Sequence, residues 1–381
     1  MLKRWAMHGL DERTRALEQR LAELAARGVD IVDARQTYID AAVRPERIHA
    51  GAVIHPGTRL CGARSFLGPG AELGREGPVT AIDCVLGQGA RLDGGYANGV
   101  VLLRGASTGS AGHLREGTLL EEEASTAHAV GLKHTILLSF VTIGSLVNFC
   151  DALVAGGTSR QDHSEIGSGY IHFNFTPWGS RGDKATPSLV GDVPRGVLLR
   201  ERRVFLGGSG GMVGPRLVGF GALAGAGQVL RKDVPEDRLV VQPTRTVDQA
   251  LVDGTLDAAE PRAARNARYL GELHALRAWY TEVRLRRAPE TGPFAHVRTV
   301  IQEAITTLDL CIAEREARLT AFMRERKAEI PAMRPTRAHP CPLALIPDEL
   351  DHVEWVRGLD EQRVTALTRW LSEIVADVVG I

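Results

Sequence analysis

Two basic residues stand out because their spacing can place them side by side. Arg115 lies in the segment LREG and Lys133 in the segment VGLK, 133 − 115 = 18 residues later. In a coiled β-structure built from hexapeptides, three units make one turn, so side chains at this spacing stack on one face. Arginine offers a planar fork of donors and lysine a compact charge, which together suit a phosphate or diphosphate. The alternative is a pair of ordinary solvated cations.

Three histidines are candidates for a general base, a group that accepts a proton from a substrate. His163 lies in the loop RQDHSEIG, His172 directly precedes the segment FNF, and His134 follows Lys133 as a weaker candidate. The alternative for each is an ordinary loop or surface histidine, because a sequence alone supplies no geometry. The spacing of the histidines does not match that of three metal ligands shared between subunits, so no metal site is predicted.

The element that must position these residues is a six-residue repeat running from about Val29 to Val241. Its unit is an aliphatic residue followed by glycine or another small residue, as in VIHPGT, FLGPGA and VLGQGA. Three units close one triangular turn, with aliphatic side chains stacked inside and glycine at the corners. A flexible linker would contain less Val, Ile and Leu, and a β-sandwich would show longer alternating strands. We therefore predict a mainly β fold, a left-handed parallel β-helix, with external loops at 105–112, 156–163 and 177–203.

Helical patterns flank the repeat on both sides. Apolar residues recur at helical spacing in 11–27, and again in 263–287, 294–327 and 361–379, where glycine is rare. The sequence thus predicts an N-terminal helix (1–28), a β-helix (29–241) and an α-helical C-terminal region (242–381). The two long C-terminal helices are expected to form a hairpin. It would serve as a coiled-coil arm that assists oligomerisation or as a surface for another protein.

The composition narrows the class of protein and its compartment. Lys+Arg and Asp+Glu balance at 46 each, which gives no reason to expect a nucleic acid or a membrane as partner. Five scattered cysteines without a CxxC pair indicate reduced thiols rather than a disulfide framework. The N-terminus lacks the apolar stretch of a signal peptide, and no run of eighteen apolar residues occurs. We therefore expect a cytoplasmic protein without a membrane span.

Several segments occur in the order found in one enzyme family. A helix is followed by GVDIVD, by TYID and then by the hexapeptides, and further along lie LREG, VGLK, IGSG, FNF, VFLG and VLRKDV. This order resembles the acetyltransferase domain of the bacterial bifunctional N-acetylglucosamine-1-phosphate uridyltransferase/glucosamine-1-phosphate acetyltransferase, a hexapeptide-repeat transferase. The resemblance covers about Ala16–Val241. The uridyltransferase domain of that family is not expected in this chain. The C-terminal helices of the chain have no counterpart in the family.

The resemblance also implies roles for particular residues. It implies that Arg115 and Lys133 bind the phosphate of the sugar substrate. The family's catalytic histidine falls on Ser145, and a substrate-binding tyrosine falls on Asn148. A serine cannot accept the proton of an amine at neutral pH without help. Another base is therefore required, and the candidates are His163 and His172.

Further contacts follow from the same resemblance. Sugar-binding positions fall on Asn174, on Phe175, which has lost the family's hydroxyl group, and on Lys184. The small-residue runs 207–211 and 221–227 fall where that family binds acetyl-CoA between the subunits of a homotrimer. Small residues let an acyl-CoA arm approach the backbone, although the corners of a β-helix require them equally.

Two functions remain open from the sequence. One is a trimeric acyltransferase that uses acetyl-CoA or another acyl-CoA and acts on an amino-sugar phosphate or a UDP-sugar. The other is a catalytically inactive sugar-nucleotide-binding or scaffold protein with helical interaction arms. Ser145 favours the second for the family's usual reaction, whereas the Arg115–Lys133 pair argues against a pure scaffold. A metal-dependent hexapeptide enzyme, such as a γ-type carbonic anhydrase, is a third possibility. It would recruit three ligands from among His128, His134, His163 and His172, whose spacing does not favour it.

Overall fold

The inward-facing aliphatic residues of the repeat build the interior of the protein. The computed structural model describes residues 7–175, 185–241, 259–327, 329–331 and 333–380. On one face, Ile54, Leu73 and Leu92 occupy the same register position on successive turns and are at most 1 % exposed. Burying each such side chain stabilises the fold by about 1.5–3 kcal/mol. A single turn cannot bury these side chains alone, so each turn depends on its neighbours.

Most strands are only two or three residues long, because each must end at a corner of the coil. They are β1 Asp30–Ile31, β2 Tyr38–Ile39, β3 Val53–Ile54, β4 Arg59–Cys61, β5 Phe66–Leu67, β6 Glu72–Leu73, β7 Val79–Ile82, β8 Val85–Leu86, β9 Arg91–Leu92, β10 Gly95–Asn98, β11 Val101–Leu102, β12 Ser107–Thr108, β13 Gly112–Leu114, β14 Leu119–Leu120, β15 Ser125–Thr126, β16 Gly131–Leu137, β17 Thr142–Ile143, β18 Asn148–Val154, β19 Glu165–Ile166, β20 Ile171–Phe173, β21 Ser188–Val190, β22 Phe205–Leu206, β23 Gly211–Val213, β24 Leu217–Val218, β25 Leu223–Ala224, β26 Val229–Leu230 and β27 Leu239–Val240.

The strands form three parallel faces. The first face is an 11-stranded sheet in the order β1-β3-β6-β9-β12-β15-β17-β19-β22-β25-β27. A second sheet wraps around the other two faces, because the seven-residue strands β16 and β18 continue from the second face to the third. The second face also contains β10, β13, β20 and β23, and the third contains β11, β14, β21 and β24. The prediction of a parallel β-helix is confirmed as a parallel β-solenoid of about 11 turns.

The helices precede and follow the solenoid, with one short exception. They are α1 Met7–Ala26, α2 Val193–Gly196 within the solenoid, α3 Ala259–Ala278, a π-helical stretch Trp279–Arg284, α4 Leu285–Arg287, α5 Ala295–Glu325, α6 His352–Arg357 and α7 Glu361–Val379, with 3-10 turns at Ala34–Gln36 and Pro45–Arg47. The predicted N-terminal and C-terminal helices are therefore present. Within the described residues, no helix is both long enough and apolar enough to cross a lipid bilayer.

The long C-terminal helices lie on the third face of the solenoid rather than projecting from it. Helices α3 and α5 pack against each other, and α5 contacts β8 and β11. Their apolar residues join the solenoid interior in one continuous hydrophobic core. The two long helices therefore pair as expected and cover their apolar stripes on the solenoid, while a role in oligomerisation or in binding another protein stays a prediction.

Two of the predicted external loops have a different structure. The interruption at 105–112 contains β12 and continues the solenoid without a loop. The segment 156–163 is a loop, closed by an antiparallel bridge between Gly157 and His163. Of the third interruption, residues 177–184 lie outside the described residues, and the rest forms β21 and α2.

Replacing Gly167 by alanine is expected to lower the free energy of unfolding by about 2–3 kcal/mol. A Cβ atom there would overlap the backbone nitrogen of Gly208 on the next turn, and backbone cannot rotate away. The matched control is Gly77→Ala, because a Cβ atom at Gly77 meets nothing within 4 Å. Urea unfolding of both variants checks the prediction, and equal stabilities would contradict it.

Candidate functional site

Outward-facing side chains on the second face form columns because successive turns are in register. Lys133 in β16 pairs with Cys150 in β18, and the N–H of Arg115 donates to the carbonyl of Leu132 at 2.9 Å. Arg115, Lys133 and Cys150 thus occupy neighbouring turns, which are separated by about 4.8 Å. Nη2 of Arg115 lies 3.7 Å from Sγ of Cys150. The structure brings the two cations together, as an 18-residue turn requires.

A shallow notch lies beside these cations. Gly131 occupies the next outward position of the same strand and is flanked by His113 on the preceding turn and Asn148 on the following one. A Cβ atom at Gly131 would lie 3.3 Å from Oδ1 of Asn148, so glycine leaves that amide accessible. The ring of His113 stacks on Tyr96 with centroids 5.0 Å apart. The notch therefore has cations on one side and an exposed amide above it.

Ser145 lies at the corner between the first and second faces, three residues before Asn148. Its Oγ is 3.0 Å from Nδ1 of His128, which occupies the equivalent corner one turn earlier. The backbone N–H of Ser145 donates to Oγ of Ser168 on the following turn at 3.2 Å. His128 is exposed and Ser145 is half-buried, so solvent reaches the pair. Sequence reasoning did not identify this pair, although stacking of neighbouring corners could have suggested it.

His172 faces the interior of the solenoid. It pairs in register with Met212, which is also buried, and is only 4 % exposed. Its Nδ1 lies 2.5 Å from the carbonyl oxygen of Cys150, and its Nε2 lies 2.9 Å from Oγ of Ser188. Burial lowers the pKa of His172 to about 4. A buried, neutral ring with both nitrogens engaged does not suit a base that must reach a bound substrate.

The other two candidate histidines lie elsewhere. His163 is in the loop between the third and first faces, where its Nδ1 is 2.8 Å from the carbonyl oxygen of Arg160. That corner is not the one that carries Arg115 and Lys133. His134 is buried beneath α5, and burial lowers its pKa. The structure therefore brings neither ring into the notch beside the cations.

Asn174 lies near the same corner as the cations, beside a buried carboxylate. Its Nδ2 donates to Oδ2 of Asp151 at 3.2 Å, and Oδ1 of Asp151 is 3.2 Å from Nη2 of Arg315. Arg315 comes from α5, so a C-terminal helix supports the solenoid at this turn. Sequence reasoning missed Arg315, because nothing local links it to a residue 164 positions earlier. Phe175 is 51 % exposed, and Lys184 lies outside the described residues.

The glycine-rich runs form corners of the last turns. A Cβ atom on Gly207 would overlap the backbone of Ala226 on the next turn, so packing alone accounts for that glycine. Gly227 faces open space, and Ser168, Ser209 and Ala226 are exposed at neighbouring corners. The residues present thus leave backbone accessible to a slender acyl-CoA arm. Within the described ranges, no group of three or more His, Cys, Asp or Glu side chains is arranged to hold a metal ion.

Comparisons with known proteins point to one group of relatives. No family model matches the chain. It is 31 % identical over 229 residues to the bifunctional protein GlmU of Nocardia farcinica, which covers 60 % of this chain and 41 % of the relative. It is 30 % identical over 230 residues to bifunctional GlmU of Thermotoga petrophila (60 % and 45 %), and 29 % identical over 242 residues to that of Mycolicibacterium smegmatis (63 % and 45 %).

The chain spans less than half the length of these relatives. Its parallel β-solenoid agrees with the left-handed β-helix that the sequence resemblance implies. Over about 60 % of its length the chain is homologous to bifunctional GlmU, and its fold is consistent with the hexapeptide-repeat acetyltransferase domain of that family.

Proposed function

We propose that this protein binds an amino-sugar phosphate or a UDP-sugar on the second face of its solenoid and transfers an acyl group to it. The donor is acetyl-CoA or another acyl-CoA. The observation that carries the proposal is the placement of Arg115 and Lys133 on adjacent turns beside the notch at Gly131. Homology to bifunctional GlmU supports the same assignment.

The proposed binding mode follows from the chemistry of the side chains. The phosphate lies between the guanidinium of Arg115 and the ammonium of Lys133, since charge-assisted hydrogen bonds to phosphate are short and strong. The sugar lies over Gly131, where no side chain blocks it, and the amide of Asn148 contacts its hydroxyl groups. The donor arm lies along the glycine corners of the last turns. We further propose a cytoplasmic homotrimer in which a neighbouring subunit completes the donor site.

Arg115→Ala and Lys133→Ala are each expected to weaken binding of glucosamine-1-phosphate about 10- to 100-fold, because each removes a charged hydrogen bond worth roughly 1.5–3 kcal/mol. The matched control is Arg59→Ala, which removes an exposed arginine from the same face three turns earlier. Isothermal titration calorimetry with glucosamine-1-phosphate and with UDP-N-acetylglucosamine measures the affinities. Release of free thiol from acetyl-CoA measures turnover.

Each outcome selects between the two functions open from the sequence. Binding that depends on Arg115, together with thiol release, supports the acyltransferase. Binding that depends on Arg115 without thiol release supports a sugar-nucleotide-binding protein that lacks the chemistry. If neither ligand binds, or if Arg59→Ala weakens binding as much as Lys133→Ala does, the proposed site is wrong.

A further inference from the structure

The pair formed by Ser145 and His128 joins two corners that are adjacent in space but 145 − 128 = 17 residues apart in the chain. The N–H of Leu146 donates to the carbonyl of His128 at 3.1 Å, so the corner backbones are held together. Above this contact, Oγ of Ser145 and Nδ1 of His128 lie 3.0 Å apart. The solenoid thus holds these two corner residues side by side, within hydrogen-bond distance of each other.

We propose that Ser145 and His128 form the proton relay of the acyl transfer, with Ser145 touching the substrate amine and His128 accepting the proton behind it. This inference rests on the proposed function. A serine hydroxyl alone is too weak a base, but a hydroxyl within hydrogen-bond distance of an imidazole passes its proton on. The required tautomer has its proton on Nε2, which leaves the Nδ1 lone pair for the hydroxyl of Ser145.

The position of the pair suits a substrate held by the cations. Ser145 and Asn148 are three residues apart and span at most about 10 Å. Asn148 borders the notch at Gly131, and Lys133 lies two residues further along that strand. A sugar phosphate whose phosphate lies on Arg115 and Lys133 therefore directs its opposite end toward Ser145.

The step balances without any further reactant. The uncharged amine attacks the thioester carbonyl, its proton passes to Oγ of Ser145, and the hydroxyl proton of Ser145 passes to Nδ1 of His128. The C–N bond forms and the C–S bond breaks. The imidazolium of His128 then returns a proton, which neutralises the leaving thiolate. The products are an amide and a thiol, and nothing is oxidised or reduced.

The test measures thiol release by the full chain with acetyl-CoA and glucosamine-1-phosphate. His128→Ala and His128→Gln are each expected to lower kcat by about 10²- to 10⁴-fold, the usual contribution of a general base, with the KM for the sugar phosphate unchanged. Ser145→Ala lowers kcat in the same way. Because His128 is exposed and Ser145→Ala keeps the backbone hydrogen bond of residue 145 to Ser168, all three variants should keep the wild-type melting temperature.

Two rescue measurements separate proton transfer from a structural role. Adding Ser145→His to His128→Ala places an imidazole directly at the substrate and should restore much of the lost kcat. Free imidazole in the buffer should restore part of it in His128→Ala alone. The control His55→Ala removes a histidine from the first face, where it lies 3.7 Å from Glu72, and should leave kcat unchanged.

The failures of the two proposals are distinguishable. If the wild type turns over and His128→Ala turns over equally fast, the relay is overturned while the proposed function stands. If His128→Ala loses kcat but neither rescue restores any, the relay is also overturned in favour of a structural role. If the wild type binds the sugar phosphate through Arg115 without releasing thiol, acyl transfer and the relay fail together.

Discussion

Replacing Arg284 by alanine is expected to destabilise the protein by about 3–5 kcal/mol, because it leaves the buried carboxylate of Glu122 without its cation. Arg284 lies in the π-helical stretch and forms two hydrogen bonds with Glu122, at 2.8 and 2.7 Å. Its Nη2 is also 3.5 Å from Oε1 of Glu121, which accepts a hydrogen bond from Tyr280 at 2.8 Å. These residues connect the C-terminal helices to the third face of the solenoid.

The charges in this cluster are deeply buried. The side chain of Arg284 is 2 % exposed and that of Glu122 is 7 % exposed. Burial raises the pKa of Glu122, but the charge and hydrogen bonds of Arg284 outweigh burial and hold this pKa well below its usual range. The stabilisation from this pair is therefore present at neutral pH and is lost as the pH falls through that lowered pKa.

Urea unfolding at pH 7 measures the effect of Arg284→Ala. The matched control is Arg286→Ala, at a position two residues after Arg284. This variant removes an exposed arginine that pairs with Glu282, and it should lower the free energy of unfolding by less than about 1 kcal/mol. Adding Glu122→Gln to Arg284→Ala should recover part of the loss, since it removes one unpaired charge. If Arg284→Ala and Arg286→Ala lower the free energy of unfolding equally, the prediction that the buried cluster stabilises the protein is wrong.

Replacing Glu272 by glutamine is expected to stabilise the protein at pH 8.5 by several kcal/mol and to change little at pH 4.5. Glu272 lies in α3, is fully buried, and accepts a hydrogen bond from the N–H of Val193 at 2.8 Å. Burial and the neighbouring charge of Asp192 raise the pKa of Glu272 to about 8. The folded protein therefore retains a proton that the unfolded chain releases near pH 4.5.

The direction of the pH dependence follows from this raised pKa. The favourable contribution of the neutral carboxyl is fully present below about pH 4.5 and is lost as the pH rises toward about 8. A shift of this size corresponds to about 5 kcal/mol when the loss is complete. Glutamine stays neutral at every pH and still offers an oxygen to Val193, so it avoids the loss.

Chemical denaturation between pH 4.5 and 8.5 tests this prediction, with the difference between variant and wild type as the measured quantity. Titrating groups that do not interact with Glu272 contribute equally to both proteins and cancel. The control is Glu373→Gln, which neutralises an exposed carboxylate on α7. A Glu272→Gln difference that is constant across this range would contradict the raised pKa.

The short-range pattern of the sequence determined the solenoid and the stacking of Arg115 on Lys133. Each hexapeptide is one strand and one corner, so period, inward residues and turn length are all local properties. Once a turn contains about 18 residues, Arg115 and Lys133 must stack, whatever the rest of the chain does. The alternation of inward and outward residues in β20 also predicts that His172 points inward. His172 occupies the same register position as Phe149 and Met212, which are both buried. The same alternation directs the ring of His172 into the interior of the solenoid.

The tertiary structure alone decided which distant residues meet. Periodicity predicts that α3 and α5 have an apolar stripe, but it does not say which surface covers that stripe. The third face covers it, which brings Arg284 to Glu122 and Arg315 to Asp151 across more than 160 residues of chain. The pair of His128 and Ser145 likewise depends on the register of a turn that contains 145 − 128 = 17 residues. Local periodicity fixed the coil, because each turn repeats its neighbour's interactions, whereas contacts between the helices and the coil follow from packing that no local segment encodes.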